Sequence, residues 1–367
     1  MARFLFATHF PYLPERVGGS ERVTHELCVA LGERGHTCGV LAGLLGKGAT
    51  GFTARLRRKL SPTSDCARDR ALGYPVYRTW VPQTAVAEVL HRFAPSTVII
   101  QAGLPALMAN AFLEHGARVV LYFHDVEFAD LGADIRRHPN LTFLANSHFT
   151  ASRVHDRYAI TAPVIPPLIT PTRYAVPSTR RNVLFVNPHP LKGVEVALEM
   201  ARQRPDIPFD FIEAWAISRD QNASHRDQAA RLANVRWRSS ISDMRKVYAN
   251  TRLVLMPSVW EESWGRVVSE AQVSGIPALA SNTGGLPEAV GPGGMLVDRQ
   301  ADLSDWLHAL SQLWDDDARY DHYARAARTH SHRPEFQPNA VVSRFIEQTL
   351  GPDPEDMGAT YSESVAY

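Results

Sequence analysis

The sequence predicts an α/β protein made of two tandem, doubly wound, Rossmann-like domains. Three observations predict it. Short unbroken apolar runs alternate with helical periodicities, a proline-dense break interrupts the middle of the chain, and the alternation then restarts. The 367 residues leave room for two buried cores at roughly 150 residues per domain. Apolar runs without polar alternation are strands covered on both faces, and strands separated by helices pair in parallel.

Residues 3–8 (RFLFAT) read as the first strand. In 21–33, Val23, Leu27, Ala30 and Leu31 share one helical face. Strands at 37–42 (TCGVLA), 97–101 (TVIIQ), 118–123 (RVVLYF) and 141–145 alternate with helices at 85–93, 104–115 and 147–158. Pro163, Pro166, Pro167, Pro171 and Pro177 end periodic structure and mark an interdomain link. Strands then follow at 183–186, 208–212, 235–238, 253–256 and 278–280, with helices at 194–202, 242–250 and 266–274. Beyond residue 302 the pattern is helical, and 339–350 places Val341, Val342, Phe345, Ile346 and Leu350 on one face. The expected domains are 1–167 and 168–335, then a helix at 336–350 and a loosely held acidic tail at 351–367.

With 45% hydrophobic and 21% charged residues the chain has the composition of a globular protein. A net charge of +1 argues against nucleic acid as a partner. The sum hides an asymmetry, because residues 1–180 hold 20 Lys and Arg against 13 Asp and Glu, and the rest hold 19 against 25. A basic first half suits an anionic acceptor or a weak peripheral membrane contact. Cys28, Cys38 and Cys66 are odd in number and form no CxxC pair, so neither a disulfide framework nor a zinc site is expected. No apolar run reaches the roughly 18 residues of a membrane span, and the first residues lack a signal-peptide pattern. A cytoplasmic protein is expected.

The strongest local signal is residues 257–288, PSVWEESWGRVVSEAQVSGIPALASNTGGLPE. It starts where a buried strand ends, which is where open α/β sheets bind ligands. Glu262 falls on the loop after the strand and Glu270 inside the next helix. A helix start there offers unpaired N–H groups to a phosphate, and Glu270 can accept two hydrogen bonds from a ribose diol. Gly284 and Gly285 permit close backbone approach.

Taken in order, Glu262 and Glu270, GIP at 275–277 and TGGLPE at 283–288 resemble the signature of the retaining glycosyltransferases of family 4, which have the GT-B fold. The resemblance extends over nearly the whole chain and implies site roles. Gly18 and Gly19, between the first strand and helix, lie near the donor diphosphate. His124, followed by Asp125, reaches the donor sugar near the reaction centre. Lys192 clamps the diphosphate. The family's arginine a few residues earlier is missing, and Asn187, Pro188 and His189 occupy that stretch. Asn187, His189 or Arg266 is expected to substitute. Glu262 and the loop of Ser263, Trp264 and Gly265 hold the sugar, Arg266 and Val267 complete the donor set, and Glu270 takes the ribose. The last helix crosses back to the first domain, whose loops shape the acceptor site.

Expected substrates are a UDP- or GDP-sugar and a glycan, lipid or small-molecule acceptor, with no cofactor and no metal. The alternatives are a GT-B epimerase or phosphorylase, and a sugar-nucleotide-binding protein without transfer. Residues 52–74 read as a long loop carrying Arg55, Arg57, Arg58, Lys59, Arg68 and Arg70 against Asp65 and Asp69. GKGATG at 46–51 matches a dinucleotide fingerprint but follows the wrong strand, so it reads as a flexible loop. Asp315, Asp316 and Asp317 read as a solvated charge run.

Overall fold

The computed structural model describes residues 1–60, 65–214 and 219–351. The acidic tail beyond residue 351 lies outside them. Two α/β domains follow each other. The first contains β1 (Arg3–Pro11), α1 (Gly19–Glu33), β2 (Thr37–Gly43), α2 (Gly48–Leu60), β3 (Ala67–Asp69), β4 (Val76–Thr79), α3 (Val86–Phe93), β5 (Thr97–Ala102), α4 (Pro105–Leu113), β6 (Val119–Phe123), β7 (Leu141–Ala145) and α5 (His148–Tyr158). Its sheet has the order β3-β4-β2-β1-β5-β6-β7, all parallel except β3.

The second domain contains β8 (Asn182–Val186), α6 (Val194–Gln203), β9 (Phe209–Ile212), α7 (Arg219–Ala230), β10 (Val235–Arg238), α8 (Arg245–Tyr248), β11 (Thr251–Met256), α9 (Arg266–Gln272), β12 (Ala278–Ser281), α10 (Leu286–Val290) and β13 (Gly294–Val297). Its parallel sheet has the order β10-β9-β8-β11-β12-β13. The helices α11 (Leu303–Trp314), α12 (Asp317–Ser331) and α13 (Pro338–Leu350) close the described chain.

Each sheet is covered on both faces by apolar clusters, which is why its central strands lack polar alternation. Between the domains the chain changes sides. Leu168 packs with the first core and Ile169 with the second. The helix α13 returns to the first domain. Val341, Val342 and Phe345 are buried there, with the Phe345 ring 6.1 Å from Phe6 and near Phe4 and Tyr122. Burying one such aromatic contributes about 1.5–3 kcal/mol. Arg34, just after α1, adds bonds to Ser343 and Asn339.

Two expectations are corrected. Residues 46–51 are not a flexible loop, and 52–74 are not one long loop. They hold α2 and the edge strand β3, which pairs antiparallel with β4 just after them, although residues 61–64 lie outside the described set. Two of the glycines there serve close packing, since a Cβ on Gly51 would lie 2.2 Å from the carbonyl carbon of Gly46 and one on Gly46 would lie 2.4 Å from the Trp80 ring. The strand β4 was hidden by Arg78, a buried charge that pairs with Asp69 at 2.8 Å and with the carbonyl oxygens of Tyr12 and Leu13.

Candidate active site

In the second sheet the chain leaves β8 toward β9 and leaves β11 toward β12, although β8 and β11 are neighbours. Their carboxyl ends therefore flank a crevice at a topological switch point. The turn after β8 carries Lys192, and the loop after β11 carries Glu262. These two loops touch because Gly193 has φ +77° and no Cβ, and a Cβ would lie 2.0 Å from the Pro257 carbonyl oxygen.

Lys192 and Glu262 form a buried pair, with Nζ 2.5 Å from Oε1. Ser258 Oγ donates to the same oxygen at 2.7 Å, and the ammonium lies 4.6 Å from the Trp260 ring centre. The hydroxyl and the ring help offset the desolvation of the two charges. The GG pair holds the Glu262 backbone. Gly285 N–H donates to the Glu262 carbonyl at 2.6 Å, and a Cβ on Gly284 would lie 2.2 Å from that oxygen.

Asn187 follows β8 with φ +67°, buried, and neither its Oδ1 nor its Nδ2 has a protein partner. The amide is available to hydrogen-bond next to the turn that carries Lys192. His189 is engaged otherwise, since its Nδ1 accepts from Leu191 N–H at 3.1 Å and caps the turn that carries Lys192. Burial, then Lys192, lowers its pKa.

Glu270 is buried on α9 and already engaged. Its Oε1 accepts from Arg266 Nε at 2.7 Å and its Oε2 from Tyr248 Oη–H at 2.9 Å. Arg266 spans the domains. Its Nη2 donates to Glu26 of α1 at 2.6 Å and to Tyr174 Oη at 2.8 Å, and its Nη1 to the Leu168 carbonyl at 3.0 Å. Tyr174 Oη–H also donates to Glu26 at 2.6 Å. Burial, then the Glu270 charge, keeps both tyrosines protonated. Arg266 thus ties the two domains together beside Glu270. Beside Tyr174 a cavity of about 320 Å³ opens between the domains, lined by Arg22, Arg173, Asp243, Met244 and Arg245.

The first domain contributes His124 at the end of β6. Burial, then the Arg266 charge, pulls its pKa to about 3, so the ring is neutral at ordinary pH. Its Nε2 is buried without a protein partner. The His124 carbonyl accepts from Ser263 Oγ–H at 2.5 Å, and Asn146 Nδ2 donates to Ser263 Oγ at 3.0 Å. Ser263 thus ties the sugar loop to the first domain. Gly18 begins α1 beneath a folded-back Glu21, and a Cβ on Gly18 would lie 2.5 Å from Glu21 Oε2, whereas Gly19 faces open space. The start of α1 is therefore already supplied with a carboxylate rather than bare.

Two family models divide the chain between them. The model "Glycosyltransferase Family 4" matches residues 17–173, and "Glycosyl transferases group 1" matches residues 172–330. The chain belongs to the family-4 glycosyltransferases. A D-inositol 3-phosphate glycosyltransferase of Paenarthrobacter aurescens (strain TC1) is 34% identical over 164 residues, 42% of this chain and 40% of that protein. A protein of the same name from Arthrobacter sp. (strain FB24) is 30% identical over 215 residues, 54% of this chain and 51% of that one. The chain thus spans about half or less of the length of these relatives. Among solved structures, Anabaena Alr3699/HepE in complex with UDP and glucose superposes with a TM-score of 0.72 at 20% identity, over 95% of this chain and 99% of that one. WaaG, a glycosyltransferase involved in lipopolysaccharide biosynthesis, gives 0.68 at 16% identity, over 96% and 100%. The fold shared with these glycosyltransferases is GT-B.

In this family-4 chain the structure brings Lys192 to Glu262, Ser263 to His124, and Arg266 to Glu270. The Trp264 ring stacks on Phe336 at 5.4 Å in the second core and Val267 packs on the same core, so what these two positions offer a ligand is their backbone. Sequence reasoning missed Glu26, Tyr174, Tyr248, Ser258 and Asn146. Only Glu26 left a signal, a carboxylate on the apolar face of α1 shared with Val23, Leu27 and Ala30. The role of Glu288 was missed too. Its carboxylate crosses the cleft and accepts from His148 N–H at 2.9 Å and Phe149 N–H at 2.8 Å, capping α5.

Proposed function

We propose that the chain transfers a glycosyl group from a nucleotide-sugar donor to a hydroxyl acceptor, with retention of anomeric configuration. The observation that carries this reading is the buried Lys192–Glu262 pair at the switch point of a family-4 chain, next to Ser263, whose hydroxyl bonds the His124 carbonyl across the cleft. A diphosphate leaves as an anion while the anomeric carbon becomes oxocarbenium-like. Lys192 is the cation set for that leaving group, and the unpaired Asn187 amide supplies a neutral donor where the family carries arginine. Glu262, held by Lys192 and Ser258, keeps lone pairs for sugar hydroxyls. His124, neutral, offers Nε2 for one further hydrogen bond.

In the same-face reaction the acceptor oxygen bonds to the anomeric carbon as the bond to the phosphate oxygen breaks. The acceptor proton passes to the leaving diphosphate. The ribose goes to Glu270, whose oxygens have spare lone pairs beside Arg266 and Tyr248, and the adjoining cavity is roomy enough for the base. Anabaena HepE was solved with UDP-glucose, so a UDP-sugar is the first donor to try and a GDP-sugar the second. The names of the inositol-phosphate relatives and the basic first half favour an anionic acceptor.

A second reading, nucleotide-sugar binding without transfer, is favoured by the missing clamp arginine. A thermal-shift panel of UDP, GDP, ADP and TDP selects the base, because a ligand stabilises only the state it fits. Release of nucleoside diphosphate is then measured with and without acceptor. Transfer predicts acceptor-dependent release. Nucleotide stabilisation with no release under any acceptor supports binding alone. Glu270→Ala is expected to weaken nucleotide binding by about 1–3 kcal/mol, and unchanged affinity would remove Glu270 from the site.

A further inference from the structure

We propose that Glu26, on the first domain, is a second carboxylate for the ribose of the donor, so that one diol bridges the two domains. This rests on the reading of Glu270 as the ribose carboxylate. Glu26 is only 3% exposed, and its two oxygens differ. Oε1 accepts from Arg266 Nη2 and from Tyr174 Oη–H, both at 2.6 Å. Oε2 is buried with no hydrogen-bond partner. A buried carboxylate oxygen without a donor is destabilising. A water or a ligand hydroxyl would satisfy it, and the surroundings favour the ligand.

The guanidinium that holds Glu26 also holds Glu270, whose Oε1 accepts from Arg266 Nε at 2.7 Å. One side chain therefore separates the two carboxylates. Two carboxylates share one cation, so the cluster has acceptors to spare and calls for donors. A fully ionised phosphate brings acceptors only. A vicinal diol brings two O–H donors and can give one to each carboxylate. Access lies alongside. Arg22 and Glu26 are four residues apart on one face of α1, and Arg22 and Tyr174 both line the cavity of about 320 Å³ that has room for the base. With the base there, the ribose falls beside Tyr174, between Glu26 of α1 and Glu270 of α9. The diol then joins the first domain to the second, as Arg266 does, and nucleotide binding favours the closed state.

The test is calorimetry of the whole chain with UDP and GDP and with their dideoxy forms, which lack both ribose hydroxyls. The readout is the ratio of the two affinities within each variant. The better-bound wild-type nucleotide is expected to prefer its ribose form about 100-fold. In Glu26→Gln, Arg266 and Tyr174 hold the amide oxygen, which puts an NH2 where the unpartnered oxygen was. That variant is expected to lower the ratio about tenfold, and Glu270→Gln to do the same. Tyr174→Phe loosens the same cluster but keeps Oε2, and is expected to leave the ratio unchanged. A structural role for Glu26 would weaken both forms equally, and that result overturns the proposal. If Glu270→Gln lowers the ratio and Glu26→Gln does not, the proposal fails and the reading of Glu270 stands. If the wild type binds neither nucleotide, or shows no ribose preference, both fail.

Discussion

Lys192 with Glu262, and Arg266 with Glu26 and Glu270, are both buried charge clusters, but they are assembled from different material. The first lies wholly within the second domain, on two loops locked by Gly193, Gly284 and Gly285. It balances one ammonium with one carboxylate and survives any movement of the first domain. The second takes Glu26 from α1, Tyr174 and the Leu168 carbonyl from the connecting segment, and Glu270 from α9. It sets two carboxylates against one guanidinium and exists only while the domains are together. The difference separates a fixed part of the site from a part that depends on closure.

Breaking the fixed cluster should have the largest effect. Glu262→Ala strands a buried lysine and is expected to cost about 3–5 kcal/mol of stability, measured by denaturant unfolding. Glu262→Gln keeps the shape and is expected to lower turnover about 100-fold or more while nucleotide affinity, by calorimetry, stays near wild type. Normal turnover in that variant would remove Glu262 from the reaction. Breaking the closure cluster with Arg266→Met should cost about 3 kcal/mol, and should also enlarge the molecule in small-angle scattering, which Glu262→Gln should not do. Adding Glu26→Gln should recover part of that loss, because one uncompensated carboxylate is gone. Simple additivity of the two substitutions would show that they do not interact.

A smaller effect lies in pH. His124 titrates near pH 3 when folded and ordinarily at 6.5, so between those values the unfolded chain holds the extra proton and stability falls as pH drops. At pH 5 this amounts to about 2 kcal/mol. Asp125 opposes it. Burial raises its carboxyl from 3.8 to about 6, so in that window the folded chain holds the proton and gains as pH drops. His124→Asn removes this share and should make the fall in melting temperature from pH 8 to pH 5 shallower, leaving the Asp125 effect against that of His330, whose pKa burial lowers to about 4. An unchanged profile would place the titrating groups elsewhere. The smallest effect is Glu288→Ala, which uncaps α5 across the cleft at about 1 kcal/mol. It should add to Arg266→Met if the two contacts hold the domains independently.

The parallel strands at the sheet centres were legible because burial on both faces leaves an unmistakable apolar run. The strand β4 was not, since Arg78 interrupts the run with a charge whose partners come from elsewhere in the chain. The strand β13 is apolar throughout, but it is a four-residue, half-covered edge strand, too short to stand out beside its flanking glycines. The helix α2 was obscured by Gly48 and Gly51, which lower helix propensity, although Gly48 starts the helix with φ +64° and Gly51 is needed for close packing. In the site, Glu262, Glu270 and the two glycines at 284 and 285 were legible because their spacing is local. The pairing of Arg266 with Glu26 crosses 240 residues and two domains, and no local pattern encodes it. Trp264 lay within the motif, yet its ring serves the second core against Phe336.

The return of α13 has a consequence for how the chain is made. Phe4, Phe6 and Tyr122 leave the ribosome early, but Phe345, which completes their cluster, is among the last described residues to appear. At about 5–20 residues per second, the roughly 200 residues after β7 take roughly 10–40 s to synthesise. Through that interval the nascent first domain carries an open apolar groove with the whole second domain still to come. Its final folding step therefore waits for residue 345, and a ribosome stalled before that point would hold the amino-terminal half in a state that invites chaperones.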